Sequence, residues 1–124
     1  MIKEFQEVRE WKSKRGIGGS TDSRMSDRLQ SQWQRVYQEV GEIHDAIVLG
    51  DDAEFTDAIG DAIVTLINLA DIKGELAEEC LKKAFGVIKL RKGITRPVGD
   101  FVRYGKLDEA GKKFCDNNQG NPGN

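Results

Sequence analysis

Residues 37–70 read YQEVGEIHDAIVLGDDAEFTDAIGDAIVTLINLA, two apolar-striped segments broken once, at LGDD. Each segment carries acidic side chains three or four residues apart, the spacing that places side chains on one face of an α-helix. Gly50 suits a helix C-terminus, and Asp51 or Asp52 suits the N-cap of the next helix. The break is short, so the two helices must be antiparallel neighbours. An antiparallel helix hairpin with carboxylates on both arms therefore sets the fold.

Helical periodicity continues outward from this hairpin. The spacing predicts a first helix over 2–14, with Ile2, Phe5, Val8 and Trp11 on one stripe. RGIGGST breaks it, and Ser20 or Thr21 can cap the helix that follows. That second helix runs over about 23–48 and buries Leu29, Trp33, Val36, Val40, Ile43 and Ile47. The third covers about 53–72, burying Phe55, Ile59, Ala62, Ile63, Leu66 and Ala70, and Gly74 stops it. A fourth, over about 76–91, turns Leu76, Cys80, Leu81, Ala84, Phe85 and Ile88 inward. ITRPVGDFVRY then reads as a small hairpin around Pro97 and Gly99. The expected architecture is all-α: a four-helix domain over 1–93, a short hairpin-like extension over 94–114, and a disordered tail over 115–124.

With 124 residues there is chain enough for one core. The formal net charge of −2 gives no global field toward nucleic acid or an anionic membrane, so neither partner is expected. No apolar run reaches the roughly 20 residues of a membrane span, and the charged N-terminus is unlike a signal peptide. Cys80 and Cys115 lack metal-type spacing and read as reduced thiols of a cytoplasmic protein.

Folding the hairpin about residues 50–51 sets opposite one another positions whose numbers sum to roughly 101. Glu39 then faces Asp61 or Ala62, while Glu42 faces Ala58 or Ile59, within a turn of Asp57. Four carboxylates, Glu39, Glu42, Asp57 and Asp61, meet at one height. Glu54 shares the spacing with Asp57 but lies too near the loop. Such like charges beside a core repel one another and lose hydration unless a cation neutralises them. Hard oxygen donors suit Mg²⁺, with Mn²⁺ as a substitute, rather than zinc. His44, two residues after Glu42, points away and reads as a surface residue. Gln32 and Arg35 precede Glu39 on the same face, Asn68 follows Asp61 on its face, and Lys82 and Lys89 share a face of the fourth helix. These five are the candidate contacts to an anionic substrate.

EVGE at 39–42 and DAIGD at 57–61, with the run IGD…NLA, resemble the MazG-like all-α nucleoside triphosphate pyrophosphohydrolases. Their hallmark is E-x-x-E on one helix and E-x-x-D on the next. The resemblance extends through REW…RGIGGST…QWQRVYQEVGE upstream and EECLKKAFGVIKLRKG downstream, covering about residues 2–93. It is closest to short single-domain versions carried by phages and bacteria. Two positions depart from the pattern: Ala58 stands where the family has Glu, and Gly86 where it tends to have Asn. Asp57 is then expected to supply the missing oxygen.

The resemblance implies Mg²⁺-dependent hydrolysis of a (deoxy)nucleoside triphosphate to monophosphate and pyrophosphate. Glu39 or Glu42 would orient or deprotonate the attacking water, and Arg35, Lys82 and Lys89 would offset charge on the leaving group. It also implies a homodimer or homotetramer. The rival expectation is a catalytically degenerate helical oligomerisation or binding module. Phe101, Arg103 and Tyr104 in the extension either pack the hairpin down or cover the base end of a nucleotide.

Overall fold

The computed structural model describes residues 2–20 and 22–118. Five helices appear, α1 (Glu4–Lys14), α2 (Met25–Leu49), α3 (Asp52–Ile72), α4 (Ala77–Ile88) and α5 (Glu109–Asn118). One antiparallel ribbon, β1 (Gly93–Thr95) with β2 (Phe101–Arg103), accompanies them, and a short 3₁₀ turn follows β2. The protein is therefore all-α apart from a two-stranded ribbon, as the periodicity requires. The chain divides within α4 into two compact units, one up to Cys80 and one from Leu81.

In the first unit α2 and α3 form the expected hairpin. Gly50 takes a left-handed conformation (φ 66°), and the amide of Asp51 reaches back to the carbonyl of Ala46. This closes α2 with its last carbonyls satisfied. Asp51 then caps α3, its carboxylate accepting from the amide of Glu54 at 3.0 Å. Gly74 ends α3 in the same manner, with Glu75 donating to Ala70. The N-terminus of α2 differs from expectation. The helix begins at Met25 after Arg24, without a side-chain cap, because Ser20 spends its hydroxyl on the amide of Asp22 in a local turn. Thr21 lies outside the described residues.

α1 docks by charge as well as by its apolar stripe, of which Phe5 and Val8 are half-buried. Its buried residues are Arg9 and Lys12, whereas Ile2 and Trp11 are exposed. Arg9 grips Glu78 through two hydrogen bonds of 2.7 and 2.5 Å, and Lys12 reaches Asp71 at 2.7 Å. Gly18 roofs the second pair: a Cβ there would stand 2.9 Å from the Lys12 ammonium, and its φ of 96° excludes other residues. The hydrogen bonds from Arg9 hold the Glu78 carboxyl below the usual range, and those to Glu78 raise the Arg9 guanidinium.

Several helix faces expected to be buried are open. Val36, Ala46, Ala58, Ala62 and Ile67 are buried in the hairpin, but Trp33, Val40, Ile47, Ile63 and Leu66 are not. α4 buries no residue, so the inward placement of Leu76, Cys80, Leu81, Ala84, Phe85 and Ile88 is corrected: all are exposed. An amphipathic stripe marks a face that needs cover, and among the described residues nothing covers this one.

The second unit extends beyond the expected hairpin. Residues 115–118, assigned to a disordered tail, complete α5, whose Cys115 is fully buried and donates to the carbonyl of Gly93. The remainder of that tail, 119–124, lies outside the described residues. Gly93 is required where it stands, since a Cβ would meet the Val102 carbonyl at 2.2 Å and the Phe101 ring at 2.5 Å. Lys92 and Tyr104 both bond to Asp116, and Lys92 sits 4.4 Å from the centre of the Tyr104 ring. The lysine lowers the Asp116 carboxyl, and partial burial with the nearby carboxylate raises the Tyr104 phenol.

Removing Arg9 strands Glu78 in a partly buried position. Arg9→Met is expected to lower the thermal midpoint by at least about 4 °C near neutral pH. Because the Glu78 carboxyl is lowered in the folded state, the contribution of the pair is complete above its unfolded pKa. It disappears as the pH falls through the lowered one. Melting curves of variant and parent should therefore converge in acid.

Candidate functional site

The hairpin fixes the height at which its acidic residues meet. One carboxylate oxygen from each of Glu39, Glu42 and Asp61 lies within 4.8 Å of the others. Glu39 is buried at 9% exposure, Glu42 is half-buried and Asp61 is exposed, so the cluster opens from the inter-helix seam toward solvent. Burial pushes the Glu39 carboxyl above its ordinary value, and Glu42 and Asp61 push it further. Arg35, one turn earlier on α2, stands 3.9 Å away and only partly opposes that shift. One oxygen of Glu39, Oε2, is buried without a hydrogen-bond partner.

Asp57, expected as a fourth ligand, is not among the three residues whose oxygens converge. Asp57, four residues before Asp61, is exposed, and its neighbour Ala58 is completely buried. Glu54 and His44 are likewise exposed and outside the cluster.

An open cleft of about 290 Å³ adjoins the carboxylates, lined by Trp11, Gln32, Arg35, Glu39, Asp61 and Asn68 among others. Three of the expected substrate contacts therefore share one hollow. Their states differ. Gln32 donates to the carbonyl of Thr65 at 3.1 Å and thereby ties α2 to α3. Thr65 turns its hydroxyl back to Ala62. Arg35 is exposed, its guanidinium 3.9 Å from the Glu39 carboxylate. Asn68 is buried at 4% exposure, and its Oδ1 has no hydrogen-bond partner. An orphaned acceptor in a cleft wall is costly unless a ligand or water donates to it.

Trp11 was not singled out for this site by the sequence. It lines the cleft and also a second hollow formed with Glu4, Glu7, Val8, Asp61 and Val64. The Arg15 guanidinium lies 4.9 Å from the centre of its ring. The signal was present but ambiguous: a Trp on an amphipathic stripe reads as core until its exposure is known. Lys82 and Lys89 are exposed and belong to the second unit, where Lys89 lies 5.9 Å from the centre of the Phe85 ring.

No protein-family model, curated protein or solved structure matches the chain. The chemistry must be argued from the residues. Three carboxylates with one buried unpaired oxygen form a donor set suited to a hard divalent cation. Among the described residues no helix is long and apolar enough to cross a membrane.

Glu39 has its carboxyl raised in the folded state, so it binds its proton more tightly there than in the unfolded chain. Its ionisation costs stability as the pH rises, and the penalty vanishes once it is protonated. Glu39→Gln is therefore expected to raise the thermal midpoint in EDTA at neutral pH, with a difference that closes on acidification. Mg²⁺ at millimolar concentration should raise the midpoint of the parent and of Asp57→Asn, but not that of Glu39→Gln. Calorimetric melts with and without the ion check all three statements.

Proposed function

We propose that the protein is a MazG-like, Mg²⁺-dependent nucleotide pyrophosphohydrolase of the cytoplasm, converting a (deoxy)nucleoside triphosphate to monophosphate and pyrophosphate. The observation that carries the reading is the convergence of Glu39, Glu42 and Asp61 beside a cleft whose wall holds the unpartnered Oδ1 of Asn68. Mg²⁺, or Mn²⁺ in its place, held by these carboxylates would neutralise phosphate charge and polarise the scissile phosphoryl group. Arg35 is free to swing toward the phosphates, since its bond to Glu39 is long and exposed. Asn68 offers an acceptor to a base or sugar donor. The partly exposed Trp11 ring offers a flat apolar wall for the base. Glu39 or Glu42 would orient the attacking water and take its proton; a carboxyl raised toward neutrality accepts a proton more readily.

The alternative, a degenerate helical binding or oligomerisation module, draws on Asp57 lying outside the cluster. The two readings part on one measurement. Pyrophosphate release from a panel of nucleoside triphosphates with Mg²⁺ is expected for the enzyme. Glu39→Gln and Asp61→Asn should lower it by at least about 100-fold, and Asp57→Asn by far less. No release from any nucleotide would favour the module.

Self-association belongs to the same proposal. Trp33, Val40 and Ile47 repeat every seventh residue on α2 and are at least half exposed. Ile59, Ile63 and Leu66 continue an open apolar stripe on α3. A homodimer or homotetramer would bury both. Light scattering should report a dimer or tetramer at micromolar concentration, and Trp33→Glu with Val40→Glu should shift it to the monomer while α2 stays helical.

A further inference from the structure

The near-neutral chain conceals a division. Residues 1–80 carry nine Lys and Arg against seventeen Asp and Glu, and residues 81–124 carry ten against four, so −8 stands against +6. The boundary coincides with that of the two compact units. The expectation that nucleic acid plays no part rested on the sum of these halves, whose signs are opposite.

Within the second unit, three segments that carry much of the surplus meet at one knot. Asp116 holds Lys92 and Tyr104 together, and Lys112 approaches the Tyr104 ring from α5, its ammonium 5.6 Å from the centre. This knot joins three segments: the approach to β1, the end of β2 with its 3₁₀ turn, and α5. Each segment brings cations without an acidic partner among the described residues. They are Arg91 on the first, Arg103 and Lys106 on the second, and Lys112 and Lys113 on the third. Asp116 is already committed to Lys92, and Asp100 to Arg96.

Aromatic rings stand among these charges. Phe101, two residues before Arg103 and so on the same face of β2, rests against Gly93 yet is 46% exposed. Phe114 follows Lys113 on α5 and is 54% exposed. Cations that track a phosphate backbone, interleaved with open rings on which bases stack, are the elements of a single-strand binding surface. At this knot a membrane fits less well, because Phe114 is the one exposed large apolar side chain of α5, and the open apolar stripe of α4 belongs to none of the three segments the knot joins. A duplex fits less well too, since its bases are already stacked and leave these rings unused.

We propose that the second unit binds single-stranded nucleic acid through Arg91, Arg103, Lys106, Lys112 and Lys113, with Phe101 and Phe114 as stacking platforms. The site is independent of the carboxylates and of the nucleotide hydrolysis proposed above. The test is fluorescence anisotropy of a labelled 20-nucleotide oligothymidine with the full chain in EDTA, which removes metal bridging. Binding should weaken with salt at a logarithmic slope of about −3, as expected for four or five neutralised phosphates. Arg103→Glu with Lys106→Glu and Lys113→Glu should lose at least tenfold in affinity while keeping the parent's helical circular dichroism. Should that variant not fold, Phe114→Ala serves in its place: it should weaken oligothymidine binding and leave inorganic polyphosphate binding unchanged. The proposal is overturned by no binding at 50 mM salt, or by equal affinity for oligothymidine and polyphosphate of the same charge. It is overturned equally by a folded triple variant that binds like the parent, or by binding to phosphatidylglycerol vesicles alone.

Discussion

The repulsion among Glu39, Glu42 and Asp61 is the constraint around which the first unit is arranged. Two of these residues lie on α2 and one on α3, so every turn of the hairpin's cap geometry acts on the distance between like charges. The Gly50–Asp51 closure sets the register, and Gln32 bonding across to Thr65 holds the same two helices from the cluster's far side. A hairpin built only for stability would place alanine or leucine at the height of Glu39, as it does at Ala58. An ionisable group retained at the seam, with an oxygen left unpaired, is a cost to folding that a bound cation would cancel.

The same tension explains how α1 is attached. An apolar helix face could slide over the α3 surface, since burial is non-directional. Arg9 and Lys12 instead fasten α1 to Glu78 and Asp71 at defined points, in bonds whose geometry admits one register. Trp11 lies between these two residues in sequence and on the opposite side of the helix, so the ion pairs that bury Arg9 and Lys12 leave its ring on the cleft. Placement of an open aromatic ring is the consequence of a polar fastening.

The helix hairpin and the meeting of Glu39 with Asp61 were legible from spacing alone, because helical period and loop length determine which positions face each other. The place of Asp57 was not, since counting along the hairpin gives the height of a residue and not whether its side chain reaches the group formed by Glu39, Glu42 and Asp61. Exposure failed to follow from periodicity on α4 and on the outer faces of α2 and α3, since an apolar stripe states that a surface wants cover without saying whether the same chain supplies it. α5 was missed because Lys112, Lys113, Asn117 and Asn118 leave too few apolar residues to show a period. Its anchors are a single cysteine against a backbone carbonyl and one aspartate shared by Lys92 and Tyr104.

Charge has the same dependence on partition. A net value of −2 is informative for a body whose charges are mixed, because distant surfaces then see a small field. It is uninformative for a chain whose two units carry opposite signs, since the sum hides both. The sum of the two units therefore says nothing about the acidic group at Glu39, Glu42 and Asp61 or about the basic residues beyond Leu81. In the second unit a carboxylate at the knot is the structural necessity, because Asp116 must satisfy both Lys92 and the Tyr104 hydroxyl. That commitment leaves the cations around it uncompensated, so the interaction that folds the unit also gives its surface a sign.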